Sequence, residues 1–513
     1  ISGTSVEIKT LMANNAVLTN SDISLNDANN VVLKASELIS IEASTKNVEV
    51  LEADISGTVA ELVTIITQNI NINNADISLN DVAGTDISTN HLKTILSATT
   101  KNVDVLDKVD ISGVISDIIT EVKNNRLKFP GNADISLNDA SGTVVLASDL
   151  KSLAVATGAT GIVDVLKNVN VKGTIDDLGT ALSNGLEFAE VVDVSFTDLP
   201  SSQVNASSIL HIINSTDISG KIIQPIDITG SVSDVISIIT SNEFDISQSD
   251  VSLNDATNTQ VNAIDLITID NASKTVELLN NDVSILGTLS HLLTVNSGSY
   301  DITHCDISLN DASNSELAGA DIKTLVDKIH STNSVDVMNF VDISGLSTDF
   351  VSGVQNSKLV FTGANGADIS LNDVAGTVIE TDDLKDLAVA TGAGKVEILN
   401  DVDISGLVAD FDTAISNGLI IKNNVDVSFN DLAGASIHTD TLVTIVNQTN
   451  LDSEIVNRVK LIGTVDELVT IVGSGEMDIT KTVVALDDVA KTKIKATDLK
   501  TFGAATKISD VSN

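Results

Sequence analysis

One hexapeptide dominates the chain, and it is rich in oxygen ligands. Asp22-Ile23-Ser24-Leu25-Asn26-Asp27 returns at 76–81, 134–139, 306–311 and 368–373. Close variants start at Asp193, Asp250 and Asp426, and a degraded copy starts at Val483. A second motif, Asp54-Ile55-Ser56-Gly57-Thr58, returns from Asp110, Asn170, Asp227, Asp342, Asp403 and Lys460, and in stretched form near Ser284. Copies stacked in register as strands would lie about 4.8 Å apart. Their leading residues then form a column: Asp22, Asp54, Asp76, Asp110, Asp134, Asp193, Asp227, Asp250, Asp306, Asp342, Asp368, Asp403 and Asp426. Unit like charges about 5 Å apart repel by roughly 1 kcal/mol in water, and by several at an effective dielectric near 20. Such a column needs relief. Hard carboxylate oxygens suit Ca2+, which makes these aspartates candidate calcium ligands. The alternative is that each one, well solvated, caps backbone N–H groups at a bend. Asn170, Ser284 and Lys460 interrupt the column, and Lys460 adds a compensating charge. The last Asp of the hexapeptide (Asp27, Asp81, Asp139) reads as a turn cap, because a bend follows it.

Other chemistry is sparse. Gly158-Ala159-Thr160-Gly161 and Gly392-Ala393-Gly394-Lys395 are glycine-rich but lack phosphate-loop spacing and read as turns. His91, His211, His291, His304, His330 and His438 are scattered, with no paired-ligand spacing. His304 and Cys305 are adjacent, and neighbours on a strand point to opposite faces, so they do not form a thiol–imidazole pair. Cys305 reads as a small buried hydrophobe. Acid pairs of the kind used by polysaccharide-cleaving solenoids are abundant. The aromatic platforms that sugar grooves offer are missing, with 10 Phe, 1 Tyr and 0 Trp. The expectation is a protein without enzymatic activity or a firmly assigned cofactor.

The elements that must position the aspartates follow from periodicity. The hexapeptide repeats about every 58 residues, and the second motif falls midway, giving half-repeats of roughly 29 residues. In both motifs Ile or Leu alternates with Asp, Ser or Asn, the period-2 pattern of a short strand. The run Val103-Asp104-Val105-Leu106 has the same character. Thr58-Val59-Ala60-Glu61 and Thr464-Val465-Asp466-Glu467 have capping-box spacing, so a helix starts there. Ser148-Asp149-Leu150 and Thr381-Asp382-Asp383-Leu384 place a capping residue and acids ahead of an apolar turn. Asn184-Gly185 and Asn417-Gly418 end short helices. A strand–turn–helix unit of this size cannot bury its own apolar face, and stacking copies does so. The sequence therefore predicts an α/β repeat: an elongated solenoid of short parallel strands and short helices around an aliphatic core. Its repeats span 22–75, 76–133, 134–192, 193–249, 250–305, 306–367, 368–425 and 426–482, with partial repeats at 1–21 and 483–513. A string of independent small β-rich domains is the rival, and no Gly-, Pro- or Ser-rich linker supports it.

Composition bounds the partners. The 28 Lys+Arg against 71 Asp+Glu leave a net charge of −43. That charge excludes phosphate neutralisation as a binding mode and disfavours anionic membranes. A hydrophobic fraction of 42% excludes a disordered acidic tail. A single cysteine excludes an internal disulfide framework. No apolar run is long enough to span a bilayer. The chain starts inside a second motif at Ile1-Ser2-Gly3-Thr4, and capping repeats are not evident. The expectation is that both ends are covered, head-to-tail, by adjoining repeats of the same chain or by another copy.

The first half reads D-I-S-L-N-D followed by T…D-L-K…A-T, and the second V-D-V-L…D-I-S-G-T-V. This resembles the repeats of very large secreted surface proteins of marine cyanobacteria and other bacteria. Gly57, Gly113, Gly173, Gly230, Gly345, Gly406 and Gly463 match the family's glycine, and Leu150 and Thr157-Gly158 match its first half. The resemblance covers essentially the whole chain through short motifs. It implies an extracellular, cell-surface structural protein of a surface layer, sheath, filament or adhesin stalk. A fibre of a phage or large algal virus, and a ligand-binding or polysaccharide-acting solenoid, are the alternatives.

Overall fold

The computed structural model describes residues 1–158, 160–215, 218–222, 225–280, 282–363, 366–448, 451–488, 495–505 and 507–510. Ile1–Ser252 with Ala272–Thr275 forms one unit, and Leu253–Asn271 with Val276–Asn513 a second. Each is built from short parallel strands alternating with short helices, as the periodicity predicts.

The repeat 368–425 shows how alternation becomes architecture. Its strand Asp368–Leu371 buries Ile369 and Leu371 and turns Asp368 and Ser370 outward. A turn leads to the three-residue strand Val378–Glu380 and the helix Thr381–Ala390. The strand Val396–Ile398 follows, then the second motif as the strand Asp403–Gly406 and the helix Val408–Ser416. The strand Leu419–Ile421 closes the unit. Asp368–Leu371 pairs in parallel with Asp342–Gly345 on one side and Val396–Ile398 on the other. Val378–Glu380 instead opens the next sheet, beside Asp403–Gly406. Each repeat thus begins a new sheet before the previous one ends. In the first unit Val32–Lys34, Asp54–Gly57, Ile77–Leu79, Val103–Val105 and Leu127–Lys128 form a sheet of the same order. Partners in register lie one coil apart, as Ile55 does from Ile77 and Ile135 from Val163.

The core is aliphatic, with a few rings inserted. Phe196 stacks on Phe244 at 5.4 Å between ring centroids, and Phe411 meets Phe429 edge-on at 5.7 Å. Cys305 is buried and His304 exposed, the alternation expected of a strand entry. Burial pushes the Cys305 thiol up to about 12, so it is no nucleophile at neutral pH.

Successive coils are locked by two devices. The first acts on second-half helices. The last Asp of a hexapeptide accepts the first free N–H of the helix one coil earlier. Val59 N–H reaches Asp81 at 3.0 Å, Ile115 reaches Asp139 at 3.1 Å, Leu289 reaches Asp311 at 2.8 Å, and Ser347 reaches Asp373 at 2.9 Å. Asp27 does the same for Ser5, and its other oxygen takes the Ser5 hydroxyl. These acids are therefore caps across coils, a correction to the turn-cap reading. A helix N-terminus carries unpaired donors and a positive dipole end, and a carboxylate satisfies both.

The second device acts on first-half helices. There the first helical residue is small, and the glycine of the next second motif lies against it. A Cβ on Gly57 would stand 2.5 Å from the Ala35 Cβ; on Gly230, 2.4 Å from that of Ala206; on Gly287, 2.6 Å from that of Ala263. The motif glycine is thus required by close approach. At Gly345 the opposing residue is itself glycine, Gly319, and Phe350 fills the space.

Local capping is partly as expected. Thr58 and Glu61, and Thr464 and Glu467, form reciprocal capping boxes. The first-half helices start earlier than the sequence suggests. Ala147 and Thr381 are already helical, behind Leu146 and Glu380, which make no side-chain cap. Thr381 instead accepts the Leu407 N–H of the next coil at 2.8 Å. Two cations cap helix C-termini across coils. Lys358 Nζ reaches the carbonyls of Ile329 (2.7 Å) and Val326 (3.3 Å). Arg126 donates to those of Thr99 (2.6 Å) and Leu96 (3.0 Å).

Candidate functional site

The outward residues of the stacked strands carry the aspartates singled out from sequence. Register brings second-motif and first-motif acids together. Asp110 lies opposite Asp134, with Asp86 on its other side. Asp342 lies between Glu316 and Asp368. Ile55 pairs with Ile77, so Asp54 and Asp76 adjoin, and the Asp54 carboxyl is raised by burial and by the Asp76 charge. The rows then break. In several repeats the next strand of the sheet is of the Val-Asp-Val or Val-Glu-Ile type, and the residue before its first Val faces the aspartate with a backbone N–H. Asn102 N–H donates to Asp76 at 2.9 Å, Ile162 to Asp134 at 3.0 Å, Ser334 to Asp306 at 3.0 Å and Lys395 to Asp368 at 2.8 Å.

Other members have individual partners. Asp22 takes the Asn47 amide at 2.6 Å. Lys108 pairs with Asp134 at 3.1 Å. Asp250 is held below the ordinary carboxylate range by the Thr275 hydroxyl, with Lys274 adding to it. Asp193 sits beside Asn170, and Asp227 beside Gln203.

The most acidic stretch is the sheet from Val378–Glu380 to Met477–Asp478. Val378, Asp403, Asp426 and Asp452 are in register along one outward row. Glu380, Ser405, Ser428, Glu454 and Asp478 make the next. All of these but Glu380 line an open trough of about 600 Å³. Lys481 approaches Glu454 at 3.7 Å, and both side chains are half exposed. The Asp478 carboxyl is lowered by the N–H and hydroxyl of Thr480. One equivalent row in the first unit is different: Lys34, Ser56, Ser78, Asp104 and Lys128, with a lysine at each end. Among the described residues, no three His, Cys, Asp or Glu side chains are arranged to hold a metal ion.

Two arrangements were not legible in the sequence. His304 and His330, from consecutive coils, bring their rings to 5.2 Å between centroids. Ser183 and His211, also one coil apart, meet at 3.1 Å, but the Ser183 hydroxyl is already directed at the Gly179 carbonyl at 2.9 Å. That pair is a surface contact without an activated nucleophile. The coil offset that creates both pairs varies along the chain, so spacing alone does not reveal it. The glycine-rich segment Gly392–Lys395 joins a helix to a strand as a plain turn.

No family model matches the chain, and no curated protein does. Among solved structures the chain is similar to the plant peptide hormone receptor RGFR1 in complex with RGF2, with a TM-score of 0.17 and 11% identity over 99% of this chain and 88% of that one. A TDR receptor gives 0.14 and 10% over 94% and 92%. The Arabidopsis receptor kinase HAESA, in complex with the peptide hormone IDA and the co-receptor SERK1, gives 0.14 and 15% over 80% and 67%. Likeness at this level bears on neither the fold nor the function. Among the described residues no helix is long and apolar enough to cross a membrane.

Proposed function

We propose that the chain is a non-enzymatic structural protein of an extracellular or cell-surface assembly, a surface layer, sheath, filament or adhesin stalk, and that it associates with copies of itself. The observation that carries this reading is a recurring exposed aliphatic residue. The position just after the hexapeptide holds Val82, Leu199, Val374 and Leu432, which are 73–81% exposed. Singly exposed apolar residues are ordinary, but recurrence at one turn position supports a contact surface. The internal recurrence of the motif residues supports a structural role as well. The hexapeptide's last Asp and the second motif's Gly face the neighbouring coil, so the repeated chemistry holds coils together. The high negative charge keeps such a surface soluble and limits nonspecific adhesion.

The test is to replace Val82, Leu199, Val374 and Leu432 by Ser together and follow association by light scattering and negative-stain microscopy over a concentration series. The unaltered chain is expected to assemble and the variant to remain monomeric. A chain that stays monomeric at all concentrations sinks the reading.

A second reading attaches to the trough along Asp403, Asp426 and Asp452. Ca2+ gathered there relieves the repulsion of three in-register carboxylates. Its test is the melting temperature with and without a chelator. Calcium that binds the folded state raises it with a concentration dependence set by mass action, and coincident curves exclude it.

A further inference from the structure

Two of the chain's 6 histidines meet on one rim of the second unit. His304 precedes the strand Asp306–Leu309, and His330 follows the helix Gly319–Lys328 one coil later. The His330 N–H donates to the Thr303 carbonyl, and the Asn333 amide donates to the His304 carbonyl at 2.8 Å. These bonds tie the two backbones together. Both side chains are exposed.

From this geometry we propose that His304 and His330 form a two-imidazole site for a borderline divalent transition cation, with Zn2+ as its representative. A tetrahedral ion bonded to one nitrogen of each ring at about 2.0–2.1 Å sets the ring centroids about 5 Å apart. The observed separation is 5.2 Å, with the ring planes 35° apart. The ring separation thus matches the one a shared ion requires. The partner of His330 suits the role. Its Nδ1 lies 3.0 Å from the Thr332 hydroxyl, and an Nδ1–H donated there leaves the Nε2 lone pair for the metal. The Thr332 N–H approaches the same Nδ1 at 3.4 Å, a contact that belongs to the opposite tautomer, whose Nε2 proton would leave on metal binding.

The carboxylates beside the pair are each engaged through one oxygen, and with the histidines they form no group of three arranged to hold a metal ion among the described residues. Asp301 accepts the Thr303 N–H at 3.0 Å, and Asp306 accepts the Ser334 N–H at 3.0 Å. They contribute field rather than ligation, and water completes the coordination shell. Neutral imidazole prefers Zn2+, Ni2+ or Cu2+ to Ca2+, which distinguishes this site from anything the acidic rows bind. The net charge of −43 raises the local concentration of every divalent ion, so selectivity must come from the nitrogen ligands.

The experiment is a Zn2+ titration of the whole chain against a chromophoric chelator in a large excess of Ca2+, which occupies carboxylate sites. One equivalent of Zn2+ is expected to bind. Its affinity is expected to fall by at least about tenfold in His304→Ala and in His330→Asn, and to be unchanged in His91→Ala. Circular dichroism confirms that each variant is folded, as their exposure leads one to expect. Absence of Zn2+ binding, binding unchanged in both variants, or loss in only one of them overturns the two-ligand site.

Discussion

The two halves of the repeat solve one problem by different physics. A second-half helix is closed by a carboxylate from the next coil, as Val59 is by Asp81. A first-half helix is closed by contact, as Ala206 is by Gly230. The carboxylate is directional and tolerates a small displacement, at the cost of burying charge: Asp81, Asp139 and Asp373 are 3–7% exposed. The glycine contact needs no charge but tolerates no added atom. One device is sensitive to protonation and the other to volume.

That contrast can be broken most severely at the glycine. Gly230→Ala is expected to destabilise its coil by about 1–3 kcal/mol, because overpacking forces a backbone shift. Ala206→Gly in the same chain should return part of the loss, less roughly 1 kcal/mol for glycine in a helix. Hydrogen exchange of the strand Asp227–Gly230 reads this locally, which matters in a repeat array that need not unfold in one step. Equal exchange in the single and double variants would remove the steric explanation.

The acid cap comes next. Asp81→Ala should cost about 1–2 kcal/mol and speed exchange at the start of the helix Val59–Thr67. Asp81→Asn should cost less, since an amide oxygen still accepts the Val59 N–H. An equal loss for Asn and Ala would show that the charge, not the hydrogen bond, is what the helix needs.

Lys358 supplies a comparison at the other helix end. Lys358→Met is expected to cost about 1 kcal/mol, the net worth of an ordinary hydrogen bond, because it removes the donor to the Ile329 and Val326 carbonyls. Exchange in the turn after Lys328 checks it.

Acidification gives the smallest effect and the one most specific to the caps. Burial raises the carboxyls of Asp81 and Asp198 above their ordinary value, although the N–H groups of Val59 and Ile175 oppose this. A raised acid binds its proton more tightly when folded, so its contribution to stability falls as pH rises from about 4 through the folded value. Lowering pH from neutrality toward the usual carboxylate range should therefore slow exchange at these caps. Asp250, Asp301, Glu467 and Asp478 are lowered, and they pull the other way below that range. Exchange of the Val59 segment between neutrality and the carboxylate range, in the unaltered chain and in Asp81→Asn, isolates the cap. A gain of the same size in both would assign the effect to relief of general charge repulsion.

Much of the architecture was legible because short-range rules fixed it. Period-2 alternation over Asp-Ile-Ser-Leu could bury only Ile and Leu, and Thr58 with Glu61 could only begin a helix. The opening strands of new sheets, such as Val378–Glu380, are three residues long and carry no comparable pattern. The helix starts at Ala147 and Thr381 were misplaced for a related reason. Ser148 and the acids after Thr381 look like local caps, while the space in front of Thr381 is filled by Gly406 from the next coil.

The sequence by itself determined the period, the parallel strand–helix unit and the aliphatic core, because each follows from residues adjacent in the chain. The tertiary structure alone decided which aspartates are caps, which share a row and which histidines meet. Those outcomes depend on register between coils whose length is uneven: Asp134 meets Asp110 on one side, and on the other the backbone N–H of Ile162.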